Sequence, residues 1–297
     1  MTLYLVTHRT LYRYGARVSD GYSVATLMPR STPHQTVLST GVVVDPAPDE
    51  RDERTDQFGN QVIHVGLHHP HDQLEVLATS RVEVHDVDEP APDSGWRELV
   101  ARIDTLEADA ALDVRPFRAS SGFMTYGVEP MALRSLAQEH FGDGVGVLDA
   151  VASLSHHIYT TFEFDPSFSQ VATPLGDVIA ARRGVCQDFA HLMLGALRSM
   201  GLAARYVSGY IETEPPEGMA RMVGADASHA WCSVWAGDAG WVDVDPTNDH
   251  MPARRHVTVG WGRDYADVAP VRGVVIGPSV GQTLEVAVDM VRLADDC

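Results

Sequence analysis

The chain has no lysine, few cysteines and no long apolar run. Its 297 residues carry a formal net charge of −19, and arginine is its sole strongly basic side chain. So acidic a chain is poorly suited to a phosphate backbone, which needs clustered cations. The charge predicts solubility and weak affinity for anionic surfaces, and it says nothing further about fold. The missing lysine reads as a compositional habit rather than a functional device. Cys186, Cys232 and Cys297 cannot all pair, and no Cys-x-x-Cys occurs. That argues against a disulfide framework and against a zinc motif, and it makes a reducing compartment the default. No window approaches the roughly 18 apolar residues that span a bilayer. The start, Met1-Thr-Leu-Tyr-Leu-Val-Thr-His-Arg9, lacks the basic-then-apolar pattern of a signal peptide. The expectation is a cytoplasmic protein with neither nucleic acid nor membrane as partner.

What is present is the balance of a folded chain, 44% hydrophobic and 21% charged, long enough for one large domain or two ordinary ones. Tyr4, Val6, His8, Tyr12 and Tyr14 share one parity while Arg9 and Arg13 take the other, a strand pattern. Further strand-like runs cover Val37–Val44, Val62–Leu67 and Leu74–Val84, with turn signals between them at Pro46, Phe58-Gly-Asn60 and Pro70. These predict an antiparallel β domain over residues 1–88, followed by a Pro- and Asp-rich linker over 89–98. Residues 99–297 then read as an α+β unit. Helical spacing covers Trp96–Ala111, Met131–His140, Val147–Tyr159 and Leu175–Ala181, and a clear amphipathic helix opens at Cys186 and stops at Gly201. Strands follow at Ala204–Ile211, Ala230–Trp235, Trp241–Val244 and His256–Val259, and a last alternating run, about 283–293, is expected to return to a sheet.

Three local sequences carry chemistry. Gly184-Val-Cys-Gln-Asp-Phe-Ala190 opens the helix, Ser228-His-Ala-Trp-Cys232 opens a strand, and Gly240-Trp-Val-Asp-Val-Asp-Pro-Thr-Asn248 is a strand ending at Asp245. A thiol ionises near pH 8.5 and is a weak nucleophile below that. A helix start helps it, because unpaired N–H groups and the dipole favour an anion and can also hold an oxyanion. Gly184 is expected to let the chain turn and a substrate approach. A histidine can hold the thiolate and later protonate a leaving amine, and a carboxylate behind it orients the ring. His229 and Asp245, on successive strands joined by a Gly237–Gly240 turn, are expected to be neighbours across a hairpin. Singly, each has a bland reading: a buried small thiol, a structural His, a strand terminator. Jointly, in the order Cys, His, Asp and each at an element's end, they favour a thiol enzyme.

These motifs, with Gly201-Leu-Ala-Ala-Arg-Tyr-Val-Ser-Gly-Tyr210, resemble the core of the transglutaminase-like superfamily, closest to a bacterial branch grouped with cysteine proteases. Tyr4-x-x-x-His8-x-Thr10-x-Tyr12-x-Tyr14, Met28-Pro-Arg30 and Asp56-x-Phe-Gly-Asn60 resemble that branch's N-terminal β domain, and Val259–Gly273 resembles its tail. The resemblance implies a papain-like fold with Cys186, His229 and Asp245 at the catalytic positions. Trp261 before Gly262 departs from the family's usual Ala-Val-Gly-Arg-Asp-Tyr, a difference that bears on packing near the site.

Trp231 and Trp241 either line the acyl-binding cleft or pack. His64, His68, His69 and His71 alternate between faces and suit a solvated hairpin end better than a metal site. His191 reads as a core histidine, Asp188 as a complement to the helix dipole, and Cys232 as a buried thiol. Residues 212–227 read as a loop ahead of His229. No cofactor and no metal is implied, and no calcium loop occurs. The expected activity is attack on a peptide or carboxamide carbonyl, with the acyl group passed to water or to an amine. The rival is a non-catalytic binding module on the same fold; substrate and oligomeric state stay open.

Overall fold

The computed structural model describes residues 1–86, 94–125, 130–169, 173–213, 227–252, 254–278 and 281–293. The first half is built from β1 (Thr2–Val18), β2 (Asp20–Met28), β3 (Gln35–Asp45), β4 (Glu50–Thr55), β5 (Gln61–Leu67) and β6 (His71–Val84). Along β1, Tyr4, Val6, His8 and Thr10 turn inward on one parity, as the alternation predicts. β2 and β4 are absent from the sequence reading. β4, Glu-Arg-Asp-Glu-Arg-Thr, is exposed throughout and is held as an edge by backbone pairing to β5, so no hydrophobic alternation marks it.

The core elements follow. A short parallel pair, β7 (Glu163–Phe164) and β8 (Arg183–Gly184), leads into the helix Cys186–Ser199. That helix packs on a sheet of β9 (Ala204–Ile211), β10 (Ala227–Trp235), β11 (Trp241–Val244) and β12 (His256–Gly262), ordered β11-β10-β9-β12. Leu192, Met193, Ala196 and Leu197 are buried, and Gly201 closes the helix at φ +89°, a value that suits glycine. The helix expected over Trp96–Ala111 ends at Thr105, and a second one, Ala108–Val114, begins past it. Among the described residues no helix is long and apolar enough to cross a membrane.

The tail leaves the core. β13 (Val271–Ile276) pairs antiparallel with β2, and β14 (Gln282–Arg292) pairs antiparallel with β1 along its whole length. The β domain is thus two four-stranded sheets, β14-β1-β6-β3 and β13-β2-β5-β4, sharing a core that includes Leu27, Ile63, Leu67 and Val76. The core range expected over 99–297 is therefore too long by its tail, because the open backbone edges of β1 and β2 are satisfied from the far end of the chain. Of the linker expected over 89–98, residues 89–93 lie outside the described residues, and Trp96 onward is already helix.

The β domain grips β12, an edge of the core sheet. Gln35 donates through Nε2 to the Thr258 carbonyl at 2.6 Å and accepts from the Thr258 N–H at 2.8 Å. Asn60 does the same for Trp261, at 2.8 Å and 2.9 Å. Two carboxamides thus take the backbone groups that a further strand would otherwise pair with. The Asp56-x-Phe-Gly-Asn60 motif builds the second clamp, since Asp56 accepts from the Phe58 and Asn60 N–H groups and from Asn60 Nδ2. A Cβ at Gly260 would sit 2.7 Å from Asn60 Oδ1. A third link buries Glu212 beneath Tyr4, whose hydroxyl donates to it at 3.0 Å, and Arg292, whose Nη2 lies 2.6 Å away.

Asn60→Ala should lower unfolding stability by about 2 kcal/mol, the cost of orphaning two buried backbone groups. Gly260→Ala should also destabilise, but less in the Asn60→Ala background. Urea unfolding of the four proteins checks both, and additive losses would refute the clamp.

Candidate active site

Cys186 is the first residue of its helix, where amide N–H groups and the helix dipole converge. Asp188, two residues on, reaches back to accept from the Val185 N–H at 2.8 Å and fastens the helix start. Burial pushes the Asp188 carboxyl up, against hydrogen bonds from Ser169 and Val185 that pull it down. Gly184 serves this packing. A Cβ there would lie 2.9 Å from the Asp188 side chain and 3.2 Å from Phe189, and its φ is not positive. The glycine is needed for close approach of the helix's own first turn rather than for a sharp bend.

His229 and Asp245 meet across the β10–β11 hairpin, as expected. The strands pair from Cys232↔Val244 to Trp235↔Trp241, and Gly237 and Gly240 close the turn at φ +69° and +71°. His229 donates from Nε2 to Asp245 Oδ2 at 2.7 Å, and its side chain also hydrogen-bonds Cys186. Burial alone would lower the His229 pKa, but the hydrogen bonds to Asp245 and Cys186 outweigh it and hold the ring well above its ordinary value. Asp245 is 0% exposed. Burial would raise its carboxyl, yet His229, His256 and Asn248 hold it far below the usual carboxylate range.

Two residues of this network escape a sequence reading. Asn248 Nδ2 donates to Asp245 Oδ2 at 2.7 Å, while Asp245 Oδ1 accepts from the Thr247 N–H at 2.9 Å. His256, on β12, donates from Nε2 to Asp245 Oδ2 at 3.2 Å. Its other nitrogen, Nδ1, is buried without a partner, and burial lowers its pKa despite Asp245, so it is a neutral donor. Asn248 lies inside a quoted motif, but its role depends on the turn after Asp245. His256 is a single histidine in an apolar strand and carries no spacing signal.

The other candidates fall elsewhere. Trp231 is wholly buried and donates to Asp243 Oδ2 at 2.9 Å; it backs His229 from 6.0 Å and has no face to offer a ligand. Trp241 is half-buried and lines a cavity on the β-domain side whose walls include neither Cys186 nor His229. His191 accepts the Tyr265 N–H at 3.2 Å between the rings of Phe123 and Tyr206, and burial lowers its pKa to about 3. Cys232 is buried, donates to the Ala190 carbonyl at 3.1 Å, and its thiol pKa is pushed up by burial. Cys297 and residues 214–226, the bulk of the loop expected ahead of His229, lie outside the described residues.

Among the described residues, one group places three ligand-type atoms within 4.8 Å of one another: His229, Asp245 and His256. The same atoms are engaged in the hydrogen bonds above, so a metal there would displace the His229–Asp245 contact. The histidines from His64 to His71 form no such group; His69 bonds Asp49 at 2.8 Å.

A half-buried thiol at a helix start, a histidine against it and a buried carboxylate behind define a papain-like arrangement. Residues 4–83 match the bacterial transglutaminase-like N-terminal region, and residues 134–246 match the transglutaminase-like superfamily. The chain belongs to the transglutaminase-like superfamily. An uncharacterized protein of Mycobacterium tuberculosis is 36% identical over 99% of this chain and 94% of its own length. A protein-glutamine gamma-glutamyltransferase of Pseudomonas aeruginosa is 39% identical over 74 residues, 25% of this chain and 11% of that protein. A crystal structure described as a putative cysteine protease from Cytophaga hutchinsonii shares the fold, with a TM-score of 0.75 at 21% identity, over 100% of this chain and 92% of that one.

Asp245→Asn should cost about 3 kcal/mol, because it strips a buried ion pair of one partner. Asp245, its pKa lowered on folding, stabilises above its unfolded value of about 3.9 and loses this as pH falls. His229, its pKa raised, stabilises below its unfolded value of about 6.5 and loses this as pH rises. The difference between wild type and Asp245→Asn should therefore peak between about pH 4 and pH 6.5, and denaturant titrations across pH read it directly.

Proposed function

We propose that the protein is a thiol enzyme that cleaves or transfers an acyl group from a peptide or carboxamide bond. The observation that carries this is the chain of contacts from buried Asp245 through His229 to Cys186 at the helix start. In this reading the Cys186 sulfur, as thiolate, attacks the carbonyl carbon, and the oxyanion is held at the helix start. The carbon–nitrogen bond breaks, and His229 gives its proton to the departing ammonia or amine. Asp245 keeps the imidazolium oriented and balanced. Water or a second amine then attacks the thioester and returns the thiol, giving an amidase or peptidase in the first case and an acyltransferase in the second.

The stretch shared with the gamma-glutamyltransferase supports a glutamine side-chain carboxamide as the first substrate to try. Asn248 and His256 act in this reading as positioning residues for Asp245. The setting is the cytoplasm, a reading supported by the free thiols of Cys186 and Cys232.

Alkylation of Cys186 by iodoacetamide, followed from pH 4 to pH 9, tests the ion pair. The rate should persist well below about pH 8.5, where an ordinary thiol ionises, and His229→Ala should remove that acid-side reactivity. A rate that rises only near pH 8 to 9 and ignores the mutation would leave a binding module as the better reading. Incubation of an N-acylglutamine amide with and without hydroxylamine then separates the outcomes: hydroxamate reports acyl transfer, the free acid hydrolysis.

A further inference from the structure

The β domain and the core enclose a cavity of about 940 Å³, near the upper end of the range for small-molecule sites and at a domain interface, where such sites concentrate. Its walls include Phe58, Phe117, Trp241 and Trp261, with Arg30 from the β domain and Arg205 from β9 between them. The Arg30 Cζ lies 3.3 Å from the Trp261 ring centroid and the Arg205 Cζ 3.5 Å from it. At those separations the two guanidinium groups must take opposite faces of the indole. Arg205 is also 4.4 Å from the Trp241 ring.

The two arginines are not equally engaged. Arg30 donates to the Phe58 carbonyl and to Asn60 Oδ1, each at 2.8 Å, so it helps to dock the domains. Arg205 is 8% exposed. Its Nε has no hydrogen-bond partner, and among the described residues no carboxylate lies within ion-pairing distance of it. Burial lowers its pKa to about 9, which leaves it cationic at neutral pH. Asp243 and Asp113 act on Arg205 through space without forming an ion pair with it, and the acidic groups on the walls have other partners or face water. Asp238 pairs with Arg102 at 2.5 Å, Asp243 takes the Trp231 N–H, and Asp113 is exposed. A buried charge costs several kcal/mol unless an opposite charge or strong acceptors meet it. A guanidinium stacked on aromatic rings keeps its edge N–H groups for an oxyanion.

We propose that this cavity is a binding site for a small molecule that carries a carboxylate or phosphate on a flat apolar body, with Arg205 as the anion's partner and the aromatic walls as the body's. The site is separate from the thiol and does not depend on Cys186 being reactive. It shares one wall residue, His256, with the Asp245 network.

The test is calorimetric titration of the full chain at low ionic strength with 1-naphthylacetate and 1-naphthyl phosphate, against neutral 1-naphthylmethanol. At least one anion should bind about tenfold more tightly than the alcohol, the worth of one charge-assisted hydrogen bond; whichever does so identifies the anion. Arg205→Gln should abolish the preference. Loss of Arg205 from its stack can also unfold the chain, so Leu112→Asp is measured beside it. Leu112 lines the cavity and is 72% exposed, and a carboxylate there should weaken the anions about threefold while sparing the alcohol. Equal or absent binding of the three probes overturns the site, as does an anion preference that is undiminished in Leu112→Asp and in any folded Arg205→Gln.

Discussion

Asp245 is a carboxylate with no exposure to water, and a charge so placed costs several kcal/mol unless donors surround it. The donors come from three different places. The turn that follows Asp245 supplies Thr247 and Asn248, β10 supplies His229 and β12 supplies His256. Each must hold its position for the charge to be tolerated, so the hairpin, the turn and β12 are tied together by one group. The same arrangement turns the His229 ring toward Cys186. A histidine that keeps its proton beside a thiol is what thiol chemistry needs, and here it is a consequence of the buried carboxylate.

β12 makes the β domain part of this arrangement. It is an edge strand, and an edge strand that carries a donor to the central carboxylate has to be kept from fraying. Gln35 and Asn60 cover its free backbone groups, and the Arg30–Trp261–Arg205 stack adds a second layer. The β domain is completed in turn by β13 and β14 from the far end of the chain. The two halves therefore support each other: the tail closes the β sheets, and the β sheets hold the strand that touches the site. Trp261, the departure from the family's usual tail, is the residue gripped on both its backbone and its ring.

Much of this was legible in the residues. The alternation in β1, the apolar face of the Cys186 helix and the Gly237–Gly240 turn each follow from a local period or a local conformational need, and local rules read such features well. Cys186, His229 and Asp245 were legible because each sits at an element's end within a recognisable local string. β4 was not, since an exposed edge strand of charged residues is held by backbone pairing that leaves no side-chain pattern. Gly184 was legible as a small residue but not in its reason, which is the volume occupied by Asp188 and Phe189.

By itself the sequence determined the two halves of the chain, the elements that carry Cys186, His229 and Asp245 and the order in which those residues occur. These depend on short-range periodicity, capping and turn chemistry, all written within a few residues. Only the tertiary structure decided that His256 reaches Asp245, that Trp231 is buried behind His229, and that Trp241 faces a cavity with Arg205. It also decided that the last strands belong to the first domain. Those outcomes depend on which side chains meet across separations of up to about the whole chain, and packing rather than local pattern selects them.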